Sequence, residues 1–270
     1  MGRFVIFERK RMIQIKSPRE IELMALAGEI VGRTHVEVVA PLIRAGVSTR
    51  EIDEAIRDFA RGEGGELLFL NYNGFPAHSC ISVNEEVVHG IPGSRVLKDS
   101  DLVCVDIGVR KDGFCGDSAR TYEVGEVSPE AHQVFDCCMR ALAAGIERAR
   151  PGVRLSELCG AIEAVIRADG LGLVEKYVGH GIGREMHEEP QVPNFVGPSF
   201  DRFDPELRVG MVLAIEPMVN SGSGDVKTLK DGWTVVTIDG GVSSHCEHTV
   251  AVTESGPRIL TLAPGERWEY

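Results

Sequence analysis

Residues Val103–Tyr122 read VCVDIGVRKDGFCGDSARTY. Apolar residues run into Asp106, an Asp112-Gly113 pair follows, and a second acid, Asp117, lies beyond it. Asp-Gly between two strand-like runs signals a two-residue hairpin, because both central residues of that turn take positive φ. Counting outward from the turn, Lys111 faces Phe114 and Asp106 faces Ala119. Asp117 then becomes the diagonal neighbour of Asp106 on one face, with Cβ atoms within roughly 7–8 Å. Leu102, Val103, Val105 and Ile107 mark the first strand as buried. Two buried carboxylates that close repel each other and lose hydration, so a positive group is required between them. A pair of divalent cations held by oxygen meets that requirement better than acids standing in water.

Moving outward, the whole chain has 270 residues, enough for one large α/β unit or two modest ones. A formal net charge of −12 argues against a nucleic-acid groove. The short run Arg9-Lys10-Arg11 reads as a solvated end. The 7 cysteines are an odd number without CxxC spacing, as expected of reduced thiols in a cytoplasmic protein. Phe4–Phe7 is too short for a signal peptide core. No apolar stretch approaches the ~20 residues that a membrane span needs.

Helix signals come in pairs. Ser17-Pro18-Arg19-Glu20 combines a cap, a proline suited to the first turn and the glutamate of a capping box. Ile21, Met24, Ala25, Gly28, Val31 and His35 follow at helical spacing, with Pro41 expected to stop the run. A second helix starts at Ser48 or Thr49 and ends in the Gly62–Gly65 cluster. The same order recurs about 110 residues on. Ser128-Pro129-Glu130 opens a helix that Pro151 ends, Gly152–Leu158 echoes Gly46–Ile52, and another short helix ends at Asp169-Gly170. Strand-like segments follow each pair: around Val83–Val88 and Val103–Val124, then Met211–Val219, Trp233–Thr237 and Val242–Thr253. Two similar halves, about 17–125 and 128–253, would face each other across one cleft.

Three residues of the second half have the chemistry to complete a metal site. His180 lies in Gly179-His180-Gly181-Ile182-Gly183, where small neighbours would let a ligand approach the backbone. Glu216 interrupts the apolar run Val212–Ile215 just before Pro217, and Glu247 likewise precedes the Thr249–Val252 strand. A carboxylate in a buried strand is costly unless paired or metal-bound. Asp106, Asp117, His180, Glu216 and Glu247 make an oxygen-rich set suited to manganese, iron or cobalt. Two such ions ~3.5–4 Å apart can clamp both ends of a bond being hydrolysed.

NYNGFPAHSCISVNEEVVHGIPG at 71–93, the DIG and GDSART hairpin, GHGIGREMHEEP, AIEPMV, KDGWTV and CEHTV occur in this order. In these motifs, from about Ser17 to about Thr253, the chain resembles the type I methionine aminopeptidases in their short bacterial form. The resemblance implies the pita-bread fold, an α/β (α+β) pair of pseudo-symmetric halves with a curved antiparallel sheet and outer helices. It implies a single catalytic domain over 17–262, with 1–16 an N-terminal extension and 263–270 a tail. Asp117 and Glu247 would bridge two divalent ions (cobalt, manganese, iron, zinc or nickel). Asp106 would hold one ion, and His180 with Glu216 the other. His89 would hydrogen-bond the substrate near the scissile amide, and His187 would polarise its carbonyl. Tyr72, Phe75, Cys80 and Trp233 would line the methionine pocket. The implied reaction is removal of the initiator methionine, preferring a small second residue, by hydroxide attack from the dinuclear centre, with Glu216 shuttling a proton to the leaving amine. Its substrates would be nascent polypeptides met near the ribosome exit by a cytoplasmic monomer, without direct contact to nucleic acid or membrane.

Some residues depart from the family pattern. Met186 stands where phenylalanine is usual, His245-Cys246 where glutamine and an aromatic are usual, and Cys115 replaces a histidine or aromatic. A proline-directed peptidase shares the fold and the five ligands, but usually carries a substantial N-terminal domain, for which no room is expected in this chain, and has cleft signatures other than NYNGFP and KDGWT. A non-catalytic binding relative would lack ligands that are all present. The polar termini, Met1–Lys16 and Ala263–Tyr270, read as edges or disordered ends.

Overall fold

The computed structural model describes residues 12–268. The Phe4–Phe7 stretch and the Arg9-Lys10-Arg11 run lie outside the described residues. The first helix spans Pro18–Arg33, with Ser17 and Glu20 forming the expected capping box. It does not stop at Pro41. A π turn over Thr34–Val39 leads into a last helical turn, Ala40–Leu42, one residue past the proline. Proline has no N–H to donate, and its ring crowds the carbonyl four residues back. The turn before it is widened, so that Ala40 N–H reaches His35 O. The second helix, Thr49–Gly62, is capped by Ser48 and Glu51.

The Asp-Gly turn closes as the residue types require, with φ of 50° at Asp112 and 81° at Gly113. Strands Leu102–Lys111 and Phe114–Glu123 pair antiparallel in the register that puts Asp106 opposite Ala119. Cys80–Val83 lies along the other edge of the first strand and pairs Cys80 with Asp106. In the second half, helices Pro129–Arg148 and Leu155–Ala168 repeat the helix pair. A five-stranded antiparallel sheet follows, ordered Gly256–Ile259, His248–Thr253, Val212–Ile215, Gly179–Gly181, Glu188–Val192.

The halves echo each other down to single hydrogen bonds. Gly46 N donates to Leu97 O, and Leu97 N donates back to Val47 O (2.9 and 2.8 Å). Gly152 N donates to Leu207 O, and Leu207 N donates back to Val153 O (2.9 and 2.7 Å). Each half has its own buried cluster, around Ile52, Ile56, Val83 and Val105 in the first and Leu142, Leu158, Ile162 and Leu213 in the second. The strand Glu86–Val88 of the first half pairs with Val235–Thr237 of the second. The pita-bread architecture read from the motifs is the one observed, and its sheets are antiparallel.

The ends are tied down where they are described, unlike the expectation of loose edges. Lys16 is only 6% exposed, and its Nζ lies 2.7 Å from Glu188 Oε2. Glu266 in the tail grips Arg120 through both carboxylate oxygens, at 2.7 and 3.1 Å. The guanidinium sits half-buried on the second hairpin strand, so the tail supplies the counter-charge that its burial demands. All seven cysteines are free and buried. Among the described residues, no helix is long and apolar enough to cross a membrane.

Candidate active site

The hairpin presents Asp106 and Asp117 on one face, two rungs apart, since Asp117 pairs with Gly108 and Asp106 with Ala119, with the Ile107–Ser118 rung between. Glu216 and Glu247 both lie where strands break. Glu216 falls between Val212–Ile215 and Met218–Asn220, at Pro217, which cannot donate to a ladder. Glu247 falls between Ser243–His245 and His248–Thr253. At these breaks the carboxylates turn from the ladder into the cleft. The two halves are stitched together beside them. Glu247 N donates to Ala119 O (2.8 Å), Ser118 Oγ to Glu247 O (2.6 Å), and Asp117 N to Thr249 Oγ1 (3.0 Å).

His180 lies on the strand Gly179–Gly181. Its flanking glycines have a different cause from ligand approach. A Cβ on Gly179 would meet Ala214 O at 2.4 Å, and one on Gly181 would meet Glu189 O at 2.2 Å. Neighbouring strands, rather than a bound group, exclude side chains there. His180 Nδ1 lies 2.9 Å from Gly181 O, so Nδ1 carries the proton and the Nε2 lone pair faces the acids.

Asp117, His180 and Glu247 each offer one ligand atom within 4.8 Å of the others. His180 Nε2 is 3.6 Å from Glu216 Oε1. Burial raises the pKa of Asp106, Glu216 and Glu247 well above the carboxylate range, and mutual repulsion adds to it. Burial pushes Asp117 up to about 7 and His180 down to about 3. Asp106 Oδ1, Asp117 Oδ1 and Glu247 Oε1 are buried without a hydrogen-bond partner among the described residues. Orphaned anionic oxygens with one open imidazole nitrogen are the donor set of a hard or borderline cation, and the residues present fit divalent metal.

All eleven residues given metal, catalytic or pocket roles from the sequence line one cavity of about 300 Å³. Phe75 and Trp233 meet edge to face at 5.2 Å, and Cys80 and Met186 pack in the same apolar cluster. Tyr72 Oη lies 2.8 Å from His187 Nδ1, while His187 stands 4.2 Å from His180, ring to ring. His89 holds a left-handed φ of 59° and abuts Tyr177 edge-on at 5.6 Å. Its pKa falls to about 4 through burial, so it is neutral near pH 7. Phe69, Val88, Tyr177 and Val178 also line the cavity and were missed from the sequence. Phe69 was visible only as part of the apolar run Leu67–Leu70, which reads as core. His245, noted only as a departure from pattern, is fully inside.

Fold and donor set together define a pita-bread protein built around divalent metal. Residues 22–254 match the model of metallopeptidase family M24. The chain is 48% identical to methionine aminopeptidase 1 of Bacillus subtilis over 250 residues, 93% of this chain and 99% of that one. It superposes on the crystal structure of methionine aminopeptidase from Thermotoga maritima with TM-score 0.89 and 40% identity, covering 93% and 100% of the two chains. Prolidase from Pyrococcus furiosus shares the fold at TM-score 0.75 and 25% identity, with 94% of this chain and 66% of that one covered. The chain belongs to metallopeptidase family M24, on its methionine aminopeptidase branch.

Proposed function

We propose that this chain removes the N-terminal methionine from peptides and newly made proteins, using two divalent ions held by Asp106, Asp117, His180, Glu216 and Glu247. The observation that carries the reading is the convergence of Asp117, His180 and Glu247 beside a pocket of Phe75, Cys80, Met186 and Trp233. A flexible thioether suits such walls, with sulfur–aromatic contacts of ~0.3–1.5 kcal/mol. The ions supply Lewis acidity toward the scissile carbonyl and toward water. The pocket seats the methionine side chain and limits access to a free chain end. His187, through Nε2–H, donates to the oxygen that gains charge as the carbonyl becomes tetrahedral. His89 hydrogen-bonds the substrate backbone near the scissile amide. Glu216 carries the proton to the leaving amine.

Residues 17–262 form the catalytic domain in this reading, with pseudo-equivalent halves at 17–125 and 128–253. The ions are drawn from cobalt, manganese, iron, zinc and nickel according to availability. The protein works as a cytoplasmic monomer on nascent chains near the ribosome exit, and the crowded cleft favours a small second residue. The deciding assay follows release of free methionine from Met-Ala-Ser, with the ion varied under anaerobic conditions. Metal-dependent release, far faster than from Leu-Ala-Ser or Ala-Pro, is expected. Preference for Ala-Pro would transfer the chain to the proline-directed peptidases.

A further inference from the structure

His245 enters the cleft from the last position of the strand Ser243–His245, immediately before the break that carries Glu247. Its backbone is fixed from two sides. The carbonyl accepts from Thr121 Oγ1 at 2.8 Å and from Cys104 Sγ at 3.3 Å, and the residue pairs with Met218 across the ladder. The side chain is 3% exposed and lines the same cavity as the acids. Its Nε2 has no hydrogen-bond partner among the described residues. A buried ring nitrogen left without a partner is costly unless something outside the protein atoms satisfies it.

The nearest acid is Glu216, whose Oε2 lies 3.7 Å from His245 Nε2. That is too long for a hydrogen bond. The other oxygen of the same carboxylate, Oε1, lies 3.6 Å from His180 Nε2. Glu216 is therefore flanked by an imidazole nitrogen on each oxygen, at nearly equal separations. Donors bound about 2.0–2.2 Å from one ion stand about 3.0–3.7 Å apart at inter-ligand angles between 90° and 120°. Both separations are those of neighbours around a cation.

We propose that His245 is a sixth protein ligand of the metal centre, which thus contains two imidazoles flanking Glu216. The inference rests on the metal-centre reading above and adds one donor to it. An imidazole favours cobalt, nickel and zinc over manganese, so the extra nitrogen tilts the choice of ion toward the later metals.

The test uses the full chain loaded with cobalt and measures imidazole scattering by X-ray absorption, together with affinities for cobalt and manganese by calorimetry. Two imidazoles per chain are expected in the unmutated protein and one in His245→Gln. Cobalt affinity should fall about 10–100-fold in the variant. Manganese affinity should fall by a clearly smaller factor. One imidazole per chain in the unmutated protein, or equal losses for both ions, would overturn the assignment while leaving the five-ligand centre intact. Failure of the unmutated protein to bind cobalt at all would remove the centre itself, and the sixth ligand with it. If His245→Gln does not fold, the count in the unmutated chain still decides.

Discussion

The phenolic oxygen of Tyr72 lies 2.8 Å from Nδ1 of His187, and the two rings stack with centroids 5.4 Å apart. With the hydroxyl donating to Nδ1, the imidazole proton is held on Nε2, the tautomer needed to donate into the cleft. Removing the hydroxyl frees both the tautomer and the ring. Tyr72→Phe is expected to lower kcat about five- to tenfold, the effect of one hydrogen bond near 1 kcal/mol, with little change in KM. Steady-state kinetics on Met-Ala-Ser check this. An unchanged kcat would show that His187 is oriented by other contacts.

Asp106→Asn keeps the shape of the side chain while removing a charge from a crowded acidic cluster. Turnover should fall by about three orders of magnitude, because losing a metal ligand forfeits several kcal/mol of charge stabilisation. The far-ultraviolet dichroism should not change, since Asp106 sits on a strand held by rungs on both sides. Near-wild-type activity at full metal content would rule out Asp106 as a ligand.

The metal-free protein should lose stability as pH rises from about 7.5 to 8.5, a window about one unit above the free histidine pKa. In that window exposed histidines of the unfolded chain are largely neutral, as are buried His89, His180 and His245, whose pKa values burial has lowered. Asp117, pushed up to about 7, still binds protons in the folded state, as do Asp106, Glu216 and Glu247, which burial and repulsion raise well above the ordinary carboxylate range. The unfolded chain binds none of these, so the folded state binds more protons and unfolding becomes easier with increasing pH. Metal replaces the protons as the source of positive charge, and the loaded protein should show a flatter profile. Thermal melts with and without chelator measure both slopes. A metal-free protein that gains stability across this window would contradict the raised carboxylates.

Glu266→Ala strips Arg120 of a two-pronged partner while leaving the guanidinium half-buried, its side chain 19% exposed. The expected loss is about 1–3 kcal/mol, the penalty of stranding a partly buried charge. Urea unfolding at constant metal content reads it. A loss below a few tenths would show that water serves Arg120 as well as the tail does.

Local chemistry made much of this molecule legible. The Asp112-Gly113 pair set both the turn and the register that places Asp106 beside Asp117, because only one pairing lets both residues take positive φ. Ser17 and Ser48, each with glutamate three positions on, declared the helix starts. Glu216 and Glu247 were visible as charges stranded in apolar runs. Other features depended on who packs against whom. The glycines around His180 look from the sequence like room for a ligand, yet they are dictated by carbonyls of strands whose neighbours cannot be read locally. Phe69 and Tyr177 look like ordinary apolar positions until two distant segments close on the cavity. The π turn before Pro41 reflects a helix carried past a proline that its periodicity predicts will end it. Glu266 gains meaning only through Arg120, 146 residues away along the chain.

Every thiol in the chain is shielded by packing, including Cys80 at the pocket wall and Cys246 beside Glu247. A thiol-specific dye would thus label the native enzyme only when some part of it opens. Its seven reaction rates amount to a map of local breathing, already distributed over both halves and needing no engineered probe. A pocket ligand should slow Cys80 selectively, so that the same reagent reports on occupancy of the cleft.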